Sequence, residues 1–93
     1  MDIQHEEDGK KGEFFIEQDG KRLAKLQYFH SRDGEITIYH TEVGEELGGK
    51  GVGRELVAAA VAYARGNKSK VLATCSYAKK VIDKTPEFQD VLA

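Results

Sequence analysis

This chain has little cysteine and no long apolar run. Cys75 is the single cysteine among 93 residues. One cysteine excludes an internal disulfide and a multi-cysteine zinc site, so we predict no metal site. No stretch has the length and apolarity of a membrane-spanning helix, and the first residues contain no signal-peptide core. A free thiol is typical of a reducing compartment, and together these absences predict a cytoplasmic protein.

An excess of basic charge is also absent. The formal net charge is −2, whereas a nucleic-acid or anionic-membrane partner requires a basic surface. A hydrophobic content of 40% and a charged content of 32% are ordinary for a globular chain. At this length only one core is possible. We predict a single domain over residues 1–93, a monomer or weak dimer, with neither nucleic acid nor a membrane as partner.

The first half of the chain has the alternating pattern of strands. The predicted strands are residues 1–5, 13–18, 21–29 and 35–43. The dipeptide Asp19-Gly20 favours a two-residue hairpin, and Asp33-Gly34 marks a second turn. These segments predict an antiparallel meander. Strict alternation in the last strand places four residues on one face: Ile36, Ile38, His40 and Glu42.

The second half changes to a helical period. Apolar residues at helical spacing predict a helix over residues 55–65, which Gly66-Asn67 ends. A short strand over residues 71–74 follows. The long connection between the last two strands allows a βαβ crossover, so we predict that they are parallel. Short helices over residues 77–83 and after Thr85-Pro86 complete the chain.

The most informative segment is Leu47-Gly48-Gly49-Lys50-Gly51-Val52-Gly53-Arg54, in which four of eight residues are glycine. A glycine-rich turn that opens a helix gathers backbone N–H groups at the positive end of the helix dipole. Glycine also lets a ligand approach the backbone closely. Lys50 and Arg54 add positive charge. The segment therefore predicts a site for a phosphate or pyrophosphate group.

Two familiar glycine motifs fit this segment poorly. The phosphate-binding loop of nucleotide hydrolases matches at Gly44, Gly49 and Lys50. Gly51 then stands where a hydroxyl group must ligate Mg²⁺. The dinucleotide fingerprint requires a glycine where Arg54 stands. A strand-to-helix turn without any ligand also remains open.

A third motif, the acyl-CoA loop [QR]-x-x-G-x-[GA] of the GNAT acetyltransferases, matches better. Gly51 and Gly53 occupy its two small positions, although Gly48 replaces the leading Gln or Arg. Three longer segments, IYHTEVGEELGGKGVGREL (38–56), LATCSYAK (72–79) and DKTPEF (83–88), resemble the small YjdJ-type N-acetyltransferase domains. With the hairpin over residues 13–29, the resemblance covers nearly the whole chain.

This resemblance implies an α+β fold with a GNAT-like core. Its parts are an antiparallel β-meander, a βαβ crossover with a parallel strand pair, and a short C-terminal helical segment. It also implies that acetyl-CoA binds where the parallel strands splay apart, with pantetheine along β backbone and pyrophosphate on the glycine segment. The implied binding residues are Glu42, Val43, Gly49, Lys50, Gly51, Val52, Gly53 and Arg54.

Acetyl transfer to an amine needs an uncharged nucleophile and a proton for the departing thiolate. His40 lies beside the proposed cleft and is the predicted base. The alternative for His40 is a hydrogen-bonded sheet residue. Cys75 ends the parallel strand, where ligands collect, and is predicted to carry the acetyl group. The alternative for Cys75 is a buried packing residue.

The remaining candidates are weaker. Tyr77 is a candidate proton donor, but packing in the core is the favoured interpretation. His5 and His30 are predicted to be solvated. The predicted function is acetyl-CoA binding with transfer to an unknown amine acceptor. A non-catalytic acyl-CoA sensor or carrier on the same fold is the alternative.

Overall fold

The computed structural model describes residues 2–93. Its strands are β1 Gln4–Glu7, β2 Lys11–Gln18, β3 Lys21–Arg32, β4 Glu35–Val43 and β5 Lys70–Ala73. Its helices are α1 Val52–Gly66 and α2 Ser76–Lys84, with 3₁₀ segments at Glu45–Leu47 and Pro86–Val91. The predicted edge strand over residues 1–5 is found at β1, and its first residue, Met1, lies outside the described residues.

The five strands form one sheet in sequence order. β1 to β4 are antiparallel neighbours. β4 and β5, which α1 connects along the chain, are parallel neighbours. The predicted meander and crossover are therefore confirmed. Asp19 and Gly20 have φ values of 54° and 78°, the conformation that a tight hairpin needs.

Both helices pack on one side of the sheet, which we call the inner face. The core between them includes Leu26 from β3, Ile38 from β4, Leu56 and Val61 from α1, and Ile82 from α2. All five are fully buried. Each such side chain contributes about 1.5–3 kcal/mol by leaving water. The other side of the sheet, the outer face, has no helix among the described residues.

At Tyr39, β4 contains one extra residue relative to β3. Gln27 pairs with His40, whereas the next residue, Tyr28, pairs with Ile38. Tyr39 therefore has no partner of its own, which is the definition of a β-bulge. Such a bulge shifts the alternation of side chains by one position in the rest of the strand.

Because of the bulge, two residues of β4 lie on the opposite face of the sheet from the one that alternation predicts. Leu26 faces the core and lies opposite Thr41, so Thr41 faces the helices. His40 and Glu42 consequently lie on the outer face. The predicted face shared with Ile38 is wrong for both, because alternation alone cannot reveal an extra residue. Where β4 passes the bulge, Thr41 takes the inward position.

A hydrogen-bonded cluster lies at the end of the sheet formed by β1. We call His5, Glu7, Tyr28, His30 and Tyr63 the Glu7 cluster. The Oε2 atom of Glu7 accepts hydrogen bonds from the hydroxyl groups of Tyr28, at 2.9 Å, and of Tyr63. Nε2 of His30 lies 2.9 Å from the same oxygen. Nε2 of His5 lies 2.6 Å from the Tyr28 hydroxyl.

The Glu7 cluster ties β1, β3 and α1 together. The hydrogen bond from Tyr63, followed by that from His30, lowers the pKa of Glu7 to about 2, although burial opposes the shift. The His5 ring is also stacked on Phe14, with ring centroids 4.1 Å apart. Both histidines are exposed, as predicted. Each nevertheless has a side-chain partner that the sequence did not reveal.

Candidate functional site

β4 and β5 separate after Ile38. Their pairing ends with Ile38 opposite Ala73. The carbonyl oxygen of Ile38 then accepts hydrogen bonds from the N–H groups of Thr74, at 3.0 Å, and Cys75, at 3.3 Å. From there the chain enters α2, whereas β4 continues to Val43. Beyond Ile38, β4 has no parallel neighbour within residues 2–93.

A cleft of about 510 Å³ opens where β4 has lost this neighbour. That volume suits a small-molecule ligand. Its walls come from the end of β4, the glycine segment, the first turn of α1 and the start of α2. The lining residues are Thr41, Val43, Gly44, Glu45, Leu47, Gly48, Gly49, Gly51, Val52, Gly53 and Tyr77. Glycine backbone thus makes up much of the wall.

The glycine segment has the conformation of an anion-binding turn. Gly49 and Gly51 have φ values of 77° and 72°, which side chains rarely tolerate. Gly51 is the N-cap of α1, and no side chain caps the helix. A β-carbon added at either glycine would have nothing within 4 Å. The first N–H groups of α1 therefore face open space, which fits a bound pyrophosphate.

Gly53 is small for a different reason. A β-carbon at Gly53 would overlap the hydroxyl end of Tyr77 from α2. Tyr77 is 43% exposed and lines the cleft, so the favoured interpretation of Tyr77 as a core residue is wrong. Because glycine has no side chain, the Tyr77 hydroxyl can lie against α1 at Gly53, at the mouth of the cleft.

The structure brings together most of the predicted binding residues. Those lining the cleft are Val43, Gly49, Gly51, Val52 and Gly53. The other three, Glu42, Lys50 and Arg54, do not line it. Lys50 borders a separate depression instead. Their contacts with a ligand stay predictions.

Six further residues line the cleft that were not among the predicted binding residues: Thr41, Gly44, Glu45, Leu47, Gly48 and Tyr77. Leu47 and Gly48 belong to the glycine segment and Tyr77 was a candidate proton donor, whereas nothing in the sequence pointed to Thr41 as a lining residue. Glu45 is the one charged residue in the described lining. A pyrophosphate in this cleft would therefore depend on backbone N–H groups rather than on lysine or arginine.

Cys75 occupies the junction between β5 and α2. It is the N-cap of α2, and its side chain is partly buried. Its Sγ atom lies 3.5 Å from Oγ1 of Thr41, which lines the cleft. The thiol is therefore beside the cleft, at the end of the parallel strand, as predicted. It is not surrounded by apolar side chains alone.

The surroundings of Cys75 favour its thiolate. Burial raises the pKa of the thiol and is the largest single influence. Hydrogen bonds from the N–H of Ala78, the hydroxyl of Thr41 and the N–H groups of Tyr77 and Thr41 outweigh it, so the pKa of Cys75 is lowered. Donors from a helix N-terminus commonly have this effect on cysteine.

His40 is not part of this arrangement. It lies on the outer face, and its Nε2 atom is 3.3 Å from Oε1 of Glu42. The hydrogen-bond partner of Cys75 on β4 is Thr41 instead. The structure therefore does not bring the two predicted catalytic residues into contact. The role of His40 as a base stays a prediction.

Two kinds of feature are missing from residues 2–93. No three His, Cys, Asp or Glu side chains are grouped so that they could hold a metal ion. The helices are too short or too polar to span a bilayer.

Comparison with known families gives a match over most of the chain. The family model described as GCN5-related N-acetyl-transferase matches residues 13–91. The solution structure of a GCN5-like protein from Staphylococcus aureus is 38% identical, with a TM-score of 0.79. That alignment covers 99% of this chain and 87% of the other. No curated protein matches.

Two other solved structures are similar at lower identity. An IAA acetyltransferase from Bacillus cereus is 24% identical over 81% of this chain and 53% of its own, with a TM-score of 0.64. An aminoglycoside acetyltransferase from an uncultured soil sample, solved with sisomicin, is 16% identical over 85% of this chain and 59% of its own, with a TM-score of 0.66. At these identities the likeness shows the fold alone.

The narrower YjdJ-type resemblance stays a prediction, but the family does not depend on it. The family model, the likeness to the Staphylococcus aureus structure and the sheet that splays beside a glycine segment all agree. The chain therefore belongs to the GCN5-related N-acetyltransferase family, and it is an acetyltransferase domain.

Proposed function

We propose that the domain binds acetyl-CoA in the cleft and passes its acetyl group to an amine through Cys75. One observation carries the proposal: the only thiol of the chain lies beside the cleft, at the splay, with hydrogen-bond donors around its sulfur. Membership of the family supports acetyl transfer in general. What we propose beyond this is that acetyl-CoA is the donor, that an amine is the acceptor and that Cys75 carries the acetyl group.

The chain offers two kinds of backbone contact to acetyl-CoA. The N–H groups at the start of α1, opened by Gly51, would hold the pyrophosphate. The backbone of β4 beyond Ile38, around Glu42 and Val43, would pair with the pantetheine arm as a strand would. The bound molecule supplies an activated acetyl thioester. Because five of the lining residues are glycines, the backbone can approach it closely.

Transfer would then proceed in two steps. The Cys75 sulfur, as thiolate, forms a bond to the acetyl carbonyl carbon, whose bond to the CoA sulfur breaks. The Tyr77 hydroxyl donates a proton to the departing CoA thiolate and regains one from solvent. An uncharged amine next bonds to the acetyl carbon, the bond to Cys75 breaks, and the amine gives up its proton to solvent.

Intact-protein mass spectrometry after incubation with acetyl-CoA tests this function. We expect wild type to gain one acetyl group, hydroxylamine to remove it, and Cys75→Ala to gain none. Since the chain has one cysteine, a single variant removes every thiol. An adduct that persists in Cys75→Ala would place the acetyl group on another side chain. Normal turnover without an adduct would indicate direct transfer.

One observation favours the alternative of an acyl-CoA sensor or carrier. Among the described residues, no imidazole or carboxylate contacts Cys75, so no side chain at the thiol takes a proton from an amine. A carrier would form the adduct and keep it. Adding a panel of small amines and peptides to the acetylated protein distinguishes the two, because an enzyme returns to its unmodified mass.

A further inference from the structure

We propose that Thr41 is the positioning residue of this site: its hydroxyl group holds the Cys75 thiol beside the cleft and donates a hydrogen bond to the sulfur once the proton has left. This inference rests on the proposed role of Cys75. It concerns how the thiol is made ready, and can be tested without acetyl-CoA.

The bulge at Tyr39 places Thr41 where it can act. Regular alternation would turn the Thr41 side chain to the outer face. The extra residue instead sets Thr41 opposite Leu26, on the inner face. There Oγ1 of Thr41 lies 3.5 Å from Sγ of Cys75. Bulges are often found beside active sites, where they re-aim a side chain in this way.

A hydroxyl group suits both protonation states of the thiol. While the sulfur carries its proton, the S–H group donates to Oγ1 of Thr41. A hydroxyl rotates freely and can also donate. When the proton has left, Thr41 therefore becomes the donor and the sulfur the acceptor. Valine at this position would have nearly the same shape and neither capacity.

Within residues 2–93, Thr41 is also the only residue whose side chain is among the donors that favour the thiolate. The others are backbone N–H groups of Ala78, Tyr77 and Thr41 itself. No charged side chain of the described residues donates to the sulfur: Glu45 lies on the cleft wall, and His40 and Glu42 lie on the outer face. The Tyr77 side chain faces the mouth of the cleft. Thr41 is consequently the donor that a substitution can remove.

The test is the rate of Cys75 alkylation by iodoacetamide as a function of pH. In Thr41→Val we expect the midpoint of the profile to move to higher pH. Alkylation on the acidic side should be about three- to tenfold slower, the equivalent of one ordinary hydrogen bond. Thr41→Ser keeps the hydroxyl and should restore the wild-type profile.

Thr37→Val is the matched control. It removes a hydroxyl from the same strand, but that hydroxyl donates to Ser31 at 2.8 Å and not to Cys75. We expect its profile to match wild type. An unmoved profile in Thr41→Val, or a Thr41→Ser profile equal to that of Thr41→Val, would overturn the proposal. Because alkylation needs no acetyl-CoA, absence of an acetyl adduct would count against the proposed function and not against this inference.

Discussion

The two ends of the sheet differ in the groups that form them: side chains at the β1 end, and backbone at the end with the cleft. At the β1 end, the Glu7 cluster consists of side chains that hydrogen-bond one another. At the other end, five of the eleven residues that line the cleft are glycines, and the helix that begins there has no capping side chain. At the β1 end, the polar side chains have hydrogen-bond partners within the chain. The other end leaves its backbone donors to a ligand.

This difference indicates how a domain of 93 residues combines stability with binding. Polar groups with internal partners contribute to folding, and a missing partner is costly. Donors without internal partners add little to folding but are ready for an anion. Substitutions at the Glu7 cluster should therefore change stability, and substitutions at the cleft should change ligand binding.

The largest effect is expected for Gly51→Ala on CoA binding. A methyl group there would enter the open space before the first N–H groups of α1. We expect the Kd for CoA to rise on the order of 10–100-fold, because each lost hydrogen bond to a charged group costs about 1.5–3 kcal/mol. Calorimetry measures it directly.

Gly20→Ala is the matched control for this variant. Gly20 has a φ of 78°, close to the 72° of Gly51, and an added β-carbon there also meets nothing within 4 Å. Both variants should lose about 1 kcal/mol of stability from the same backbone strain. Equal CoA affinity in the two folded variants would show that the glycine segment does not bind CoA.

The next effect is expected for Glu7→Gln on stability. Losing the shared carboxylate should cost about 1–2 kcal/mol, since the cluster is partly exposed and solvent screens it. Denaturation by urea gives the value, with the exposed Glu87→Gln as control. CoA binding should not change. A large loss of CoA affinity would show that the two ends are coupled.

The same carboxylate predicts a pH dependence. The pKa of Glu7 is lowered from 4.5 to about 2 in the folded protein. Its contribution is therefore fully present above pH 4.5 and is lost as pH falls through 2. Wild-type stability should fall faster over this window than that of Glu7→Gln. Parallel curves for the two proteins would contradict this assignment.

Gly53→Ala tests whether the cleft wall can be disturbed without a cost in stability. Alanine favours the helix by roughly 0.5–1 kcal/mol, but its methyl group would displace the Tyr77 hydroxyl. Tyr77 is half-exposed and can turn outward. We expect a change in melting temperature of a few degrees at most and a slower acetylation of Cys75. Wild-type acetylation would show that Tyr77 does not assist.

The smallest effect is expected for His40→Gln on acetylation of Cys75. His40 lies on the outer face and has no contact with the thiol. We expect the adduct to form at a rate within about twofold of wild type, as for an ordinary surface substitution. A fall of about 10²–10⁴-fold in turnover to the amine would instead establish His40 as the base.

Much of the fold could be predicted from the sequence. Local signals with a strong physical basis, such as Asp19-Gly20 and the helical period after Val52, led to the right elements. The long connection between β4 and β5 led to the parallel pair. The glycine segment and Cys75 were also placed correctly, because strand ends and helix starts define positions in space.

The faces of β4 and the partners of polar groups could not be predicted. An extra residue at Tyr39 leaves no mark in a pattern of apolar and polar residues, so Thr41 was missed. Glu7 and Tyr63 meet although 56 positions separate them along the chain. The space that Tyr77 needs over Gly53 likewise depends on two helices packing together.

The bulge has a consequence for insertions and deletions in β4. Deleting Tyr39 would remove the one unpaired residue and leave Thr41 opposite Leu26, so every inward side chain would stay inward. Inserting one residue between Tyr39 and Thr41 would place Thr41 four positions after Ile38, so regular alternation would still turn it inward, but opposite Ala24 instead of Leu26. β4 can therefore lose one residue at this point while its inward side chains stay on the inner face. Growth by one residue at this point would also keep the two faces, but it would shift the pairing of Thr41 along β3, away from Leu26.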